Sequence, residues 1–167
     1  MQQDQYRLPD TRMFAKEDHL RVAVVSDTHG LLRQEVLERL SGCDAILHAG
    51  DVDSPKLLEA LEKVAPTYAV RGNNDLYWDQ ELPEDLTVHM GGLRIYMVHD
   101  ISDVPEEMEP PDIVIYGHSH IFGMEQNEET LYLNPGSCGK RRFRLELTMA
   151  ILTIDHAKAT VERIRLQ

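Results

Sequence analysis

The feature that most constrains the fold is a strand, polar loop and helix unit that occurs twice in succession. The β-branched run RVAVV ends in SDTHG and precedes the helical pattern LLRQEVLERL. The run AILH leads into AGDVD, and Ser54 and Pro55 then occupy the N-cap and N1 positions of a second helix. A third strand, TYAV, ends in RGNND. Strands that alternate with helices predict a parallel sheet with right-handed crossovers, and ligands collect beyond the carboxyl ends of such strands.

Each predicted helix has one apolar face. The first ends before Gly42, and its face consists of Leu32, Val36, Leu37 and Leu40. The face of the second consists of Leu57, Leu58, Leu61 and Val64.

The second half of the chain is predicted to be mostly β. Beyond residue 85, LTVHM, GG and LRIYMVHD form a hairpin pattern. Further short strands follow, namely IVIY, FGME, TLYLN, LTMAILTID and TVERIRL. The predicted class is therefore mixed, α/β at the start and α+β overall.

Length predicts a single domain. A chain of 167 residues with 42% hydrophobic residues is long enough for one sizeable core and too short to expect two. We assign this domain to residues 20–167. Residues 1–19 have no clear period and carry Pro9, so we expect a loosely packed or disordered N-terminal extension.

Charge and hydropathy exclude several classes of partner. The net charge is −12, and such a field repels nucleic acid phosphates, so no stable nucleic acid binding is expected. No apolar run is long enough to span a bilayer, and the first residues lack a secretory signal, which predicts a cytoplasmic protein without membrane contact. Cys43 and Cys138 are far apart and are expected to be reduced thiols without a function.

Residues of metal-ligand type stand at the ends of five predicted strands. The seven candidates are Asp27, His29, Asp51, Asn73, His99, His118 and His120. Taken singly, each candidate has an explanation other than metal binding. Asp27 could cap a helix, Asp51 and Asn73 could be turn residues, and His99 could be a hydrogen-bonded core histidine. A lone His-x-His such as GHSH also arises by chance.

Taken together, the seven candidates indicate a metal centre. Oxygen and imidazole ligands in this mixture suit manganese, iron, nickel or zinc. One ion cannot use seven ligands, whereas two ions about 3.5–4 Å apart can, and this arrangement activates water and holds a phosphoryl group in line. The pattern therefore predicts phosphate ester hydrolysis.

The ordered blocks SDTHG, AGD, RGNND, the histidine of MVHD and YGHSH resemble the calcineurin-like metallophosphoesterase superfamily. The small size and the later NPGS resemble its short YfcE-like phosphodiesterase branch. The resemblance implies a central β-sandwich flanked by helices. It also implies two divalent ions per chain, expected to be manganese with nickel, iron and zinc as alternatives, and a small phosphate-ester substrate.

The resemblance also implies how the ligands divide. One ion would be held by Asp27, His29 and His120, and Asp51 would bridge to the second. The second ion would take Asn73, His99 and His118, and a hydroxide between the ions would attack phosphorus. On this basis Asp51, Asn73 and His118 are expected to contribute to catalysis.

Other polar residues give weaker signals. Asp75 could orient a ligand or water, and an Asx turn explains it equally well. Arg71 is a candidate phosphate contact, while a solvated basic cluster is favoured for Arg141 and Arg142. His48 is expected to be packed or to support a ligand. The histidines expected to be incidental are His19, His89 and His156.

Two positions depart from the family pattern. Asn74 stands where many larger members carry a histidine credited with helping the leaving group, so the general acid is unidentified. Asp100 follows His99 where the family commonly has glycine. A carboxylate there could weaken phosphate binding or add a contact to water or metal.

Two other functions compete with the enzyme. The resemblance extends to the retromer subunit built on this scaffold, which implies a protein-binding surface as the alternative. Seven filled ligand positions favour the enzyme. A purely structural metal is disfavoured, because structural zinc usually has a closed shell rich in cysteine. The sequence is compatible with a homo-oligomer.

Overall fold

The computed structural model describes residues 6–73, 75 and 82–167, which form two stacked five-stranded sheets. In chain order the elements are β1 (His19–Val25), α1 (Gln34–Leu40), β2 (Ala45–His48), α2 (Pro55–Glu62), β3 (Thr67–Ala69), β4 (Asp85–Met90), β5 (Leu93–Val98), a 3-10 turn (Ile101–Asp103), β6 (Ile113–Ile115), β7 (Gly123–Asn127), β8 (Thr130–Asn134), β9 (Leu147–Asp155) and β10 (Lys158–Leu166).

The first sheet has the strand order β10-β9-β1-β2-β3. Strands β1, β2 and β3 are parallel, whereas β9 runs antiparallel to both β1 and β10. Helices α1 and α2 are the crossovers between the parallel strands. Their apolar side chains, such as Leu40 and Leu58, pack with Val25 and Ile151 on one face of this sheet.

The second sheet has the order β4-β5-β6-β8-β7, with β5, β6 and β8 parallel. Its inner face packs against the face of the first sheet that the helices leave free. Val24 and Leu152 of the first sheet share a buried cluster with Met97 and Ile115 of the second. The predicted sandwich flanked by helices is therefore confirmed.

Local signals placed the start of α2 correctly but not its end or the start of α1. The hydroxyl of Ser54 accepts a hydrogen bond from the backbone of Leu57 and caps α2, as predicted. Val64, predicted to share the buried face of α2, lies beyond its last residue and is 39% exposed, so this prediction is wrong. Helix α1 begins at Gln34, and Leu32 packs against the core from the preceding loop.

The described part of the N-terminal extension, residues 6–18, is packed rather than loose. The hydroxyl of Tyr6 donates to the carbonyl of Thr67 at 2.5 Å, and the hydroxyl of Tyr68 donates to the carbonyl of Asp10 at 2.8 Å. Phe14 forms a β-bridge with Met90 at the end of β4. These contacts differ from the expectation, because the tyrosine hydroxyls and the edge of β4 give the segment partners that its composition does not reveal.

Cys43 and Cys138 are buried free thiols, as predicted. Within residues 6–73, 75 and 82–167, no helix is long and apolar enough to cross a membrane.

Candidate metal centre

Five of the seven predicted ligands converge beyond the carboxyl ends of β1, β2, β5 and β6. The ligand atoms of Asp27, His29 and His120 all lie within 4.8 Å of one another. Those of Asp27, Asp51 and His99 satisfy the same limit. The two groups share Asp27, so the structure brings together two adjoining sets of ligands.

The backbone at the site is held in a conformation that side chains rarely adopt. Positive φ angles occur at six site positions, namely Asp27, His29, Asp51, Asp53, His118 and His120. Each costs on the order of 1–3 kcal/mol and persists where the surrounding structure fixes it, typically at functional sites. The left-handed residues turn the chain sharply after each strand, so that side chains from separate loops face one point.

Two glycines allow the loops to approach this closely. A Cβ atom at Gly72 would lie 2.1 Å from Oδ1 of Asp51. A Cβ atom at Gly117 would lie 2.1 Å from the hydroxyl oxygen of Ser26 and 2.8 Å from Oδ2 of Asp27. The glycines of RGNND and YGHSH are therefore required by packing against the ligands.

The carboxylate of Asp27 is oriented by two donors. Its Oδ2 accepts from the hydroxyl of Ser26 at 2.7 Å and from the backbone of His118 at 3.1 Å. Its Oδ1 is buried, has no hydrogen-bond partner among the described residues, and lies 3.4 Å from Nε2 of His120. Asp27 does not cap α1, whose N-cap residue is Arg33. One oxygen is thus fixed by the protein and the other is left for a ligand.

His29 presents one bare nitrogen to the site. Its Nδ1 lies 2.9 Å from Oδ2 of Asp53, which can only accept when ionised, so the proton resides on Nδ1. Nε2 then carries the lone pair and lies 3.3 Å from Nε2 of His120. Imidazole nitrogens this close, with Oδ1 of Asp27 beside them, form the donor set that a divalent cation takes.

His99 is oriented in the same way. Its Nδ1 donates to the carbonyl of Ala49 at 2.7 Å, which leaves Nε2 without the proton in the neutral ring. Nε2 is buried without a hydrogen-bond partner among the described residues and lies 3.3 Å from Oδ2 of Asp51. His99 is therefore a buried histidine with a hydrogen-bond partner at Nδ1 but none at Nε2 among the described residues. The orphaned atoms of Asp27 and His99 fit a metal, because buried polar atoms otherwise find partners.

The charges of the site shift the pKa values of its members. Burial alone would lower the pKa of His99, but the carboxylates of Asp51 and Asp27 outweigh it and raise that pKa to about 9. Burial raises the pKa of Asp27, against the lowering effect of the imidazole of His99. Burial lowers the pKa of His120. A divalent cation would supply the positive charge that these carboxylates otherwise take from protons.

Asp51 belongs to the second set of ligands and also lies near His29 of the first. Its Oδ2 is 3.7 Å from Nε2 of His29 and 3.3 Å from Nε2 of His99. This position is compatible with the bridging role that the family resemblance implies.

Asp75 fixes the loop that carries Asp51. Its Oδ2 accepts from the backbone of Asp51 and Gly72 at 2.9 Å and of Val52 at 3.2 Å, while Oδ1 accepts from Asp53 at 2.9 Å. The sequence left two explanations open for Asp75. The structure shows that its carboxylate holds a ligand loop in place and also closes a local turn.

His48 also supports the loops that carry Asp27 and Asp51. Its Nδ1 accepts from the backbone of Gly50 at 3.1 Å, so Nε2 carries the proton and donates to the hydroxyl of Thr28 at 3.0 Å. Complete burial lowers the pKa of His48 to about 4, so the ring is neutral. This agrees with the expectation that His48 is packed or supports a ligand.

The remaining two predicted ligands are Asn73 and His118. Both are exposed and line a cleft of about 510 Å³ together with His99 and Arg71. The rings of His118 and His99 meet edge to face with centroids 5.3 Å apart. The structure thus places Asn73 and His118 beside the Asp51 and His99 side of the site.

One of the two residues that depart from the family pattern, Asp100, borders this cleft. Its Oδ2 lies 3.9 Å from Nε2 of His118. Its Oδ1 accepts from both the backbone and the hydroxyl of Ser102 and caps the 3-10 turn, and these bonds lower the pKa of Asp100. Asn74 lies outside the described residues.

The basic residues weighed as phosphate contacts differ in their surroundings. Arg71 lines the cleft and pairs with Glu84 at 2.5 Å. Arg141 and Arg142 are exposed, and the charge of Arg142 is one of the causes that lower the pKa of His120. The contact of Arg71 with Glu84 was not expected from the sequence.

Sequence reasoning missed Asp53 and Ser26. Asp53 follows Asp51 by two residues in AGDVD, and Ser26 directly precedes Asp27 in SDTHG. Both stand next to predicted ligands and carry hydrogen-bonding side chains. A search for residues that orient ligands could have found them, because metal-binding side chains usually have a hydrogen-bond partner that fixes their orientation.

The comparison with known proteins decides the family. The profile of the calcineurin-like phosphoesterase superfamily domain matches residues 20–157. The chain belongs to this superfamily. The metallophosphoesterase resemblance of its sequence blocks is therefore confirmed, and the family implies binding of divalent metal ions.

Two curated relatives bear names that agree with this family. The probable metallophosphoesterase YsnB of Bacillus subtilis is 31% identical over 158 residues, which cover 85% of this chain and 89% of that protein. The phosphodiesterase YfcE of Escherichia coli K12 is 31% identical over 145 residues, covering 71% of this chain and 79% of that protein. The predicted likeness to the YfcE-like branch is confirmed.

The superfamily fold also occurs in a protein with a different name. A zinc complex of Vps29 from Entamoeba histolytica has a TM-score of 0.66 at 21% identity, covering 87% of this chain and 99% of that one. At this identity the likeness concerns the fold alone.

Proposed function

We propose that the protein is a metal-dependent phosphodiesterase that uses two divalent ions. The observation that carries this proposal is the orientation of His29 and His99. Asp53 and the carbonyl of Ala49 accept the Nδ1 proton of each ring, so in the neutral rings Nε2 carries the lone pair and faces the carboxylates of the site. Rings arranged to leave bare nitrogens beside carboxylates are suited to hold cations.

Each of the seven ligands has a role in this proposal. Asp27, His29 and His120 hold one ion, and Asp51 contacts both. Asn73, His99 and His118, which line one cleft, would hold the second. Two such ions, expected to be manganese, supply Lewis acidity that activates water and neutralises charge on a phosphoryl group.

The cleft beside His99 and His118 is where the protein would receive the substrate. Arg71 is its cationic wall residue, and a guanidinium is suited to phosphate oxygens. Arg71 must leave Glu84 to reach a phosphate, which an exposed partner permits, since Glu84 has an 82% exposed side chain.

The experiment measures hydrolysis by chelator-treated protein reloaded with manganese. Its substrates are aryl phosphodiesters, cyclic nucleotides and aryl phosphomonoesters, and Asp51→Asn serves as the inactive reference. We expect manganese-dependent turnover of at least one diester, with kcat/KM above that for the matched monoester. Wild-type protein that binds metal and hydrolyses none of these esters would contradict the proposal.

The leaving group provides a second test. General acid help contributes on the order of 10²–10⁴ in rate, and no described side chain of the motif is an evident acid for a departing alkoxide. We therefore expect kcat/KM to fall steeply as the leaving-group pKa rises across substituted aryl diesters. A flat dependence, with chemistry rate-limiting, would show that an acid operates.

A protein-interaction scaffold is the second candidate, supported by the fold shared with Vps29. The Vps29 of Entamoeba histolytica was crystallised as a zinc complex, so metal binding alone does not separate the two functions. Turnover separates them, because a scaffold predicts tight metal binding without hydrolysis of any ester in the panel.

A further inference from the structure

Three side chains form a second ligand cluster at the far end of β1. Nδ1 of His19 lies 2.9 Å from Oδ1 of Asp155, and Nδ1 of His156 lies 2.6 Å from the same oxygen. The ligand atoms of the three residues all lie within 4.8 Å of one another. The two imidazole rings meet edge to face with centroids 4.9 Å apart.

The strand register places these residues together. His19 and Asp155 are direct partners in the antiparallel pair of β1 and β9. His156 is the first residue of the two-residue turn between β9 and β10, and its backbone donates to the carbonyl of Asp18 at 2.8 Å. The cluster is thus built on paired strands rather than on long loops.

The turn that presents His156 is unusual in composition. His156 and Ala157 have φ angles of 47° and 61°, the left-handed pair of a tight hairpin turn. Asparagine and glycine favour these positions, and side chains such as those of histidine and alanine are strained there. A strained residue that points a ring at a carboxylate supports a functional site over an incidental surface pair.

The arrangement suits a transition-metal ion. Two Nδ1 atoms and one carboxylate oxygen form a three-ligand set of the kind that binds zinc with one position open. Tetrahedral ligands at usual zinc distances are about 3.3 Å apart, which exposed side chains can reach from the observed spacing. One cation would replace the protons that both rings now direct at Oδ1.

The cluster is separate from the centre described above. His19 begins β1, whereas Asp27 lies just past its end, eight residues later. At about 3.3 Å per extended residue, the two sites are on the order of 25 Å apart.

We propose that His19, Asp155 and His156 bind one zinc ion at the surface, with the remaining position open to water. The side chains of these residues are 71%, 59% and 67% exposed, so the site is freely accessible. This proposal does not depend on phosphodiesterase activity.

The test counts zinc ions after equilibrium dialysis against buffered zinc. His156→Asn removes one ligand and places asparagine where the turn favours it, so the variant should fold at least as well. Ala157→Gly relieves backbone strain in the same turn and keeps all three ligands, which makes it the matched control. We expect His156→Asn to bind one ion fewer than the wild type, and Ala157→Gly to bind the wild-type number.

A second variant and a spectroscopic measurement complete the test. His19→Gln should also bind one ion fewer. Imidazole nitrogen NMR should show zinc-dependent shifts at Nδ1 of His19 and His156 in the wild type. Equal zinc counts in the wild type and both ligand variants, or unshifted Nδ1 signals at saturating zinc, would overturn the proposal whatever the activity of the main centre.

Discussion

Nδ1 of His29 donates to Oδ2 of Asp53 at 2.9 Å, and this hydrogen bond decides which nitrogen of the ring faces the site. Asp53 is not among the proposed metal ligands and acts through His29. Because partners of ligating histidines are worth about 10–100-fold in metal affinity, Asp53→Ala should weaken manganese binding by this factor. Asp53→Asn keeps an acceptor oxygen and should therefore lose less manganese affinity than Asp53→Ala.

Metal titration by calorimetry checks this prediction. Glu38→Gln, on an exposed position of α1, serves as the control for loss of one negative charge. Wild-type affinity in Asp53→Ala would show that His29 is oriented without it.

Asp51 and Arg142 should differ widely in their effect on catalysis. Asp51 lies within 3.7 Å of both His29 and His99, so Asp51→Asn should lower kcat/KM for an aryl diester by orders of magnitude. Arg142 is exposed, and an exposed ion pair contributes about 1 kcal/mol or less, so Arg142→Ala should cost at most about fivefold. Near wild-type turnover by Asp51→Asn with two ions bound would refute the bridging assignment.

Asp75 should contribute strongly to stability. Its carboxylate accepts three backbone hydrogen bonds from buried donors and one from the partly buried backbone of Asp53, and Asp75→Ala removes the acceptor of all four. Unsatisfied buried groups cost about 1–3 kcal/mol each, so we expect the free energy of unfolding to fall by on the order of 4 kcal/mol. The melting temperature should fall by about 10 °C.

Asp112→Ala is the matched control for Asp75→Ala, since exposed Asp112 accepts one backbone bond, from Arg94, at 2.7 Å. It should cost about 1 kcal/mol. Thermal unfolding in the presence of chelator measures both variants without metal linkage. Equal melting temperatures for the two variants would contradict the role assigned to Asp75.

His48 should make stability depend on pH. Burial lowers its folded-state pKa from 6.5 to about 4, so the unfolded chain takes up a proton first as pH falls. The stability that depends on a neutral His48 is fully present above about pH 6.5 and is lost as pH falls towards 4. The size of this loss is on the order of 3 kcal/mol.

Urea unfolding of chelator-treated wild type and His48→Gln, at about pH 7.5 and about pH 4.5, tests this pH dependence of stability. Other acidic groups affect both proteins alike, so the stability advantage of the wild type should shrink at the lower pH. A constant difference between the two proteins would show that His48 is not the titrating group.

Local patterns in the sequence were sufficient for much of the fold. Alternating strands and helices, the Ser54 cap and the paired glycines of the β4–β5 hairpin each depend on neighbours within a few residues. The pattern failed at Val64, where apolar periodicity continued past the end of α2. Strand ends also identified every candidate ligand, because parallel strands present their carboxyl ends at one edge.

Only the tertiary structure decided how those candidate ligands are oriented. The ring nitrogen left bare in His29 depends on Asp53, 24 residues away, and that in His99 depends on Ala49, 50 residues away. The hydrogen bonds of Asp75 to the Asp51 loop and of Tyr6 to Thr67 likewise join distant segments. A sequence pattern reports the period of apolar residues in one segment, whereas a hydrogen bond between two segments depends on the positions of both in the folded chain. The amino-acid sequence by itself therefore identified the candidate metal ligands, and the packing of the two sheets decided which of their atoms face one another.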